Sequence, residues 1–142
     1  MANDNNQPLI SIIVPTYERS TLLPRALDSI YAQTWKNIEV IVVDDNLPGS
    51  VFEKDTYNIL QPYLRRNNFL YIKTAGKTGG GAARNYALNQ CHGEYIAFLD
   101  DDDRYLPEKL ERQVTFMQKN QLDGSYHDIR WFGENEKQVE YR

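Results

Sequence analysis

Four short apolar runs, spaced along the chain with helix-patterned segments between them, decide what this sequence can fold into. They are LISIIVP (9–15), IEVIVV (38–43), FLYIK (69–73) and EYIAFL (94–99). The first two are nearly continuous and β-branched, the pattern of strands buried on both faces. After the first run, STLLPRALDSIYAQ (20–33) sets Leu23, Ala26, Leu27, Ile30 and Tyr31 at helical spacing behind a Ser/Thr cap and an early proline. A weaker helix pattern covers 51–64, with Phe52, Ile59, Leu60, Tyr63 and Leu64 on one side. AARNYALNQ (82–90) predicts a third helix, and Pro107 opens a fourth that runs to about Lys119. GSYHDIRWF (124–132) reads as a fifth strand, with GENE turning it back into KQVEY.

Strands alternating with helices mean crossover connections and a mainly parallel sheet with helices on both faces. The expected class is therefore α/β, a three-layer α/β/α sandwich. A length of 142 residues suits one such domain. The polar start MANDNNQP reads as a flexible tail over 1–8, with the domain filling 9–142. Sheets of this kind bind ligands at the carboxyl ends of their strands, where the strand order reverses. PTYERS, DDNLPGS, AGKTGGG and DDDDR each follow one of the four runs, so all four polar clusters belong on one rim.

Composition removes several classes of function. The net charge of −4 lacks the basic excess of a general nucleic-acid binder. One cysteine, Cys91, excludes an internal disulfide framework and a cysteine-built zinc site, and reads as a buried, inert thiol in a reducing cytoplasm. No apolar stretch nears the ~20 residues of a membrane span, and the start lacks a signal-peptide layout. The expected location is cytoplasmic, with a peripheral place at a membrane left open.

The motifs narrow the chemistry. GKTGGGAARN resembles a phosphate loop only in part, because position 71, where the leading glycine should stand, is a tyrosine. It also fails the dinucleotide fingerprint at Arg84. A glycine-rich loop entering a helix remains, and its N–H groups favour an anion. Asp44-Asp45 has a plain alternative as a turn cap. A response-regulator receiver would carry its acidic pair after the first strand, and here a full strand and helix precede it. Asp100–Asp103 do not suit a helix–loop–helix calcium loop, which wants glycine where Tyr105 stands. Nor do they suit a haloacid-dehalogenase motif, which Arg104 breaks. Crowded carboxylates repel one another, and a divalent cation relieves that repulsion. Hard oxygen donors on the ligand rim suit Mg²⁺ or Mn²⁺ carried with a substrate's phosphates.

SIIVPTYER, IEVIVVDDN, GGGAARNYALNQCHGEYIAFLDDDD and RYLPEKLE, in this order over residues 8–120, together resemble family 2 glycosyltransferases. These are inverting enzymes of the GT-A fold, a Rossmann-like nucleotide-diphospho-sugar transferase fold. The resemblance implies transfer of a sugar from a nucleotide-diphosphate sugar, with UDP-sugar favoured, to a carbohydrate or lipid-linked acceptor hydroxyl, as in polysaccharide biosynthesis. It places the nucleotide against Pro15, Thr16 and Tyr17, with Tyr17 packing on the base. Asp45 reads the uracil-like edge, Arg84 lies near the diphosphate, and Asp101 meets ribose or the metal shell. Asp102 and Asp100 become the ligands of Mn²⁺ or Mg²⁺, and Asp103 a helix-entry residue. The carboxylate base of the family falls in an acceptor-binding half, expected beyond Arg142, and Glu134, Glu136 and Glu140 are given no such role. The chain on this reading is the donor-binding half, weak in nucleotide binding and poor in catalysis by itself, with homo-oligomer formation left open. A nucleotide-binding module without catalysis is the main alternative. A sugar nucleotidyltransferase is less suited, because it should carry a basic glycine-rich loop where PTYERS stands.

Overall fold

The computed structural model describes residues 7–132 and 138–139. The strands are β1 (Ile10–Thr16), β2 (Ile38–Asp44), β3 (Phe69–Lys73) and β4 (Tyr95–Phe98). Between and after them come α1 (Leu23–Tyr31), α2 (Val51–Leu60), α3 (Gly80–Leu88) and α4 (Lys109–Asn120). Two short strands, β5 (Trp131–Phe132) and β6 (Gln138–Val139), complete the described elements. The four long strands form one sheet in the order β3-β2-β1-β4, every pair parallel. This is the α/β class read from the sequence.

The strands alternate their residues between two helical layers. Ile10, Ile12 and Val14 of β1 and Val40 and Val42 of β2 face α1, α2 and α4, meeting Leu23, Leu27, Ile30, Leu60, Leu110 and Val114. Ile13, Ile41 and Val43 face the other way and meet only Ala83 and Ala87 of α3 among fully buried side chains. These two alanines let the α3 backbone lie close to the sheet. The first layer is thick and aliphatic, the second thin.

Several boundaries differ from the sequence reading. The first helix begins as a 3₁₀ turn, Ser20–Leu22, before α1 proper. α2 stops at Leu60 instead of 64, and residues 61–65 continue as turns. Ser50 caps α2, accepting from the Glu53 N–H at 3.2 Å. α3 starts two residues early, at Gly80, inside the glycine run. Of the tail expected over 1–8, Gln7 and Pro8 are held: their carbonyls accept from Asn37 Nδ2 at 2.6 Å and Trp35 Nε1 at 3.1 Å. Residues 1–6 lie outside the described part.

The fifth strand of the sheet is a correction. Only Trp131–Phe132 are extended, and they pair antiparallel with β6, away from the main sheet. Asp128 and Arg130 interrupt the apolar pattern that a strand buried beside β4 would need. Residues 124–130 form no strand and run near α4, where Gln113 Nε2 donates to the Ser125 carbonyl at 3.1 Å. The hairpin pairing expected from KQVEY is present; its GENE turn lies outside the described residues.

Candidate functional site

β1 is followed in sequence by its neighbour β2 on one side, while β4 joins its other side only after β3 has been laid down. The strand order therefore reverses between β1 and β4, and the clusters after both strands meet at that seam. The Leu99 N–H continues the ladder by donating to the Ile13 carbonyl at 3.1 Å. Tyr105 pins the far end of the tract: its Oη donates to the Phe98 carbonyl at 2.6 Å, and its N–H donates to Ser29 Oγ at 3.0 Å. The four aspartates are thus held as a loop across the seam, closed by the Asp103 N–H donating to the Asp100 carbonyl at 3.0 Å.

Within that loop the carboxylates divide into two groups. Asp101 turns inward and is 0% exposed, accepting from Thr16 Oγ1 at 2.8 Å. Burial pushes its carboxyl above the usual range, against the pull of Thr16 and Arg19. Asp100, Asp102 and Asp103 turn outward, and one carboxylate oxygen from each lies within 4.8 Å of the others. Three hard oxygen donors at that spacing fit a divalent cation such as Mg²⁺ or Mn²⁺. Asp103 belongs with this group and is no helix-entry residue, since α4 begins only at Lys109, with Glu108 at its N-cap position.

Arg84, Arg25 and Arg19 reach the tract from three parts of the chain. Arg84 on the first turns of α3 pairs with Asp100. Arg25 donates to the Asp102 backbone carbonyl. Arg19 spans two carboxylates, with NH2 2.9 Å from Asp101 Oδ1 and NH1 2.7 Å from Asp102 Oδ2. Arg19 and Arg25 escaped the sequence reading, because a motif scan does not show that β1 and β4 are neighbours. A cavity of about 1120 Å³ opens beside the tract, lined among others by Arg25, Arg84, Asp100, Asp102 and Tyr126.

The other side of the seam is built by the loops after β1, β2 and β3. Asp44 is the turn residue of its pair, accepting from the Asn46 N–H at 2.9 Å and from the Tyr71 hydroxyl. Asp45 is 4% exposed and organises the glycine loop. Its Oδ1 accepts from Thr74 Oγ1 at 2.5 Å, the Thr78 N–H at 2.9 Å and Thr78 Oγ1 at 2.6 Å; its Oδ2 accepts from the Gly79 N–H at 2.8 Å. Burial alone would raise this carboxyl, but those donors outweigh it and hold it below the usual carboxylate range. A carboxylate has about four lone-pair sites, so what acceptor capacity Asp45 retains lies on Oδ2. Asn46 stitches the cluster, its Oδ1 accepting from the Glu18 N–H at 2.7 Å. Gly76, at φ +94°, packs so tightly that an added Cβ would lie 2.9 Å from Pro48 Cδ and 3.0 Å from the Asn46 carbonyl oxygen.

Tyr17 is half-buried beside these loops. A hydrogen bond to Glu18 does most to push its phenol up, helped by burial and by the charges of Glu18 and Asp45. Pro15 and Thr16 close β1 immediately before it. The fold therefore gathers Pro15, Thr16, Tyr17, Asp45, Arg84, Asp100, Asp101 and Asp102 on one rim. Cys91 lies elsewhere, half-buried in the α3–β4 connection, where burial pushes its thiol up.

The model of glycosyl transferase family 2 matches residues 11–142. This chain belongs to that family. An uncharacterized glycosyltransferase of Methanocaldococcus jannaschii is 37% identical over 138 residues, 95% of this chain and 46% of the relative. The Escherichia coli glucosyltransferase WfaP, named for UDP-Glc as donor and α-D-GlcNAc-diphosphoundecaprenol as acceptor, is 35% identical over 83% of this chain and 45% of the relative. The family 2 chain thus spans less than half the length of these relatives. Among solved structures, S. aureus TarS 1–349 in complex with UDP superposes with a TM-score of 0.69 at 28% identity, covering 88% of this chain and 39% of that one. The mannosyltransferase PcManGT of Pyrobaculum calidifontis, in complex with GDP-Man and Mn²⁺, gives 0.66 at 25% identity, covering 81% and 34%. The family 2 chain accordingly has the GT-A glycosyltransferase fold, and no helix among its described residues is long and apolar enough to cross a membrane.

Proposed function

We propose that this chain forms the donor-binding part of a metal-dependent, inverting glycosyltransferase that takes a nucleotide-diphosphate sugar, with a UDP-sugar favoured. The observation that carries the reading is the outward group of Asp100, Asp102 and Asp103 at the β1/β4 seam, with Arg84 beside it and Tyr17 on the same rim. Tyr17 would pack on the base, and Asp45 Oδ2 would accept from the base edge while its other bonds fix the loop. Pro15 and Thr16 set the backbone on which the nucleoside lies. Asp101, held inward by Thr16, serves the site by fixing the tract and stands next to the ribose position.

Asp102 and Asp100, joined by Asp103, would hold Mn²⁺ or Mg²⁺, which would offset negative charge gathering on the departing diphosphate. Arg84 would add its charge on the same side, backed by the α3 N-terminus. The cavity beside the tract leaves room for the sugar end of the donor and for a carbohydrate or lipid-linked acceptor. Inversion further requires a carboxylate base within reach of the acceptor hydroxyl, which this reading places outside the rim described here. UDP-bound TarS and the GDP-Man and Mn²⁺ complex of PcManGT support this reading by likeness.

Titration calorimetry with UDP and Mn²⁺ tests it. Binding should require the metal, and Asp102→Ala should reduce it at least about tenfold with an unchanged circular dichroism spectrum, the loss of roughly one charge-assisted contact. Metal-independent binding, or an Asp102→Ala variant that binds as the parent does, would overturn the assignment. Tight binding with no sugar transfer would favour a nucleotide-binding module.

A further inference from the structure

We propose that Arg19 is an exchangeable counter-ion for the acidic tract: its guanidinium holds Asp102 until a donor diphosphate draws it away and frees that carboxylate for the metal. The inference rests on the functional reading above and assigns a role to a residue outside it.

The geometry is that of a competitor. Asp102 Oδ2 lies 2.7 Å from Arg19 NH1, and Asp102 is one of the three residues whose oxygens converge. A cation bound by that group would therefore meet a guanidinium already seated on one of its ligands, and like charges at that range repel. Arg25 differs in kind, since it contacts the Asp102 backbone carbonyl and leaves the carboxylate open. Arg84 sits on Asp100 but is already placed with the diphosphate.

Arg19 is also built to move at its tip and not at its root. Its carbonyl accepts from the Leu22 N–H at 3.1 Å, closing the 3₁₀ turn, and the Glu18 N–H before it is tied to Asn46. The side chain beyond is 50% exposed. A guanidinium fork that bridges two adjacent carboxylates presents the same paired N–H groups that match phosphate oxygens. Charge completes the argument. Arg19, Arg25 and Arg84 already contact this tract, so a lone dication adds to positive charge gathered there, whereas a dication arriving with a diphosphate does not. Metal and nucleotide should accordingly help each other bind, each by the same factor.

The test measures Mn²⁺ binding by the loss of its free electron-paramagnetic signal, and UDP binding by calorimetry, in the parent, Arg19→Gln, Arg19→Lys and Asp102→Asn. Arg19→Gln should bind Mn²⁺ alone about fivefold or more tighter, yet lose about fivefold or more of the affinity for UDP with Mn²⁺, within the usual range of coupling between sites. Arg19→Lys, which keeps the charge and loses the fork, should stay near the parent for Mn²⁺ alone and still bind UDP with Mn²⁺ more weakly. Unchanged or weaker Mn²⁺ binding by Arg19→Gln, with Asp102→Asn abolishing it, would overturn the counter-ion role and leave the metal site standing. Indifference of both affinities to Asp102→Asn would overturn the metal site and this inference with it.

Discussion

Asp45 shows how one side chain can be legible in position and opaque in duty. The sequence marks it as the second member of an acidic pair after a buried strand, and motif resemblance points it at a base. The structure surrounds it with Thr74, Thr78 and Gly79, none of which can be foreseen as its partners without knowing that β3 lies beside β2. Asp45→Asn should cost about 2 kcal/mol at neutral pH, because its amide meets the Gly79 N–H donor to donor. Its carboxyl is held below the usual range, so it contributes stability above its unfolded value of about 3.9, and that contribution fades as pH falls below about 4. Urea midpoints between pH 6 and 3.5 should show parent and variant converging on the acid side. A constant gap would mean that the donors do not favour the charged form. Arg19 carries the same lesson from the other direction: its type is ordinary, and only adjacency of β1 and β4 gives it a role.

At the scale of elements, the apolar runs at 38–43 and 69–73 reappear as β2 and β3 with almost no change; continuous β-branched burial leaves β2 little choice of conformation, while the half-exposed β3 is held by pairing along β2. The helices were legible in existence and less so in their ends. Residues 124–130 misled, since Tyr126 and Ile129 look strand-like while their charged neighbours suit no buried edge; the strand expected there is confined to Trp131–Phe132. α3 is the element on which the rim most depends. It meets Ile13, Ile41 and Val43 through Ala83 and Ala87, both 0% exposed. Ala83→Leu should therefore destabilise by about 1–3 kcal/mol through overpacking. It should also weaken UDP–Mn²⁺ binding several-fold by lifting Arg84 from Asp100. Thermal unfolding and calorimetry on one sample separate the two effects; lost stability with full affinity would show that Arg84 follows the tract and not the helix.

At the scale of the whole molecule, the main sheet of the described residues ends in two outer strands, β3 and β4. β4 is the outer strand of the sheet on its side, and Ile96 and Phe98 on its α3-facing surface are 38% and 48% exposed. An uncovered apolar edge favours self-association. Ile96→Lys should lower light scattering by the chain at equal concentration, and identical scattering would mean that another surface drives association. The thin layer under α3 has a last consequence. Two methyl groups act as the shim between that helix and the sheet, so the height of a guanidinium at the rim is fixed by the smallest side chains in the core. Donor preference in such a scaffold can drift through the thickness of its packing, with every residue that touches the ligand left unaltered.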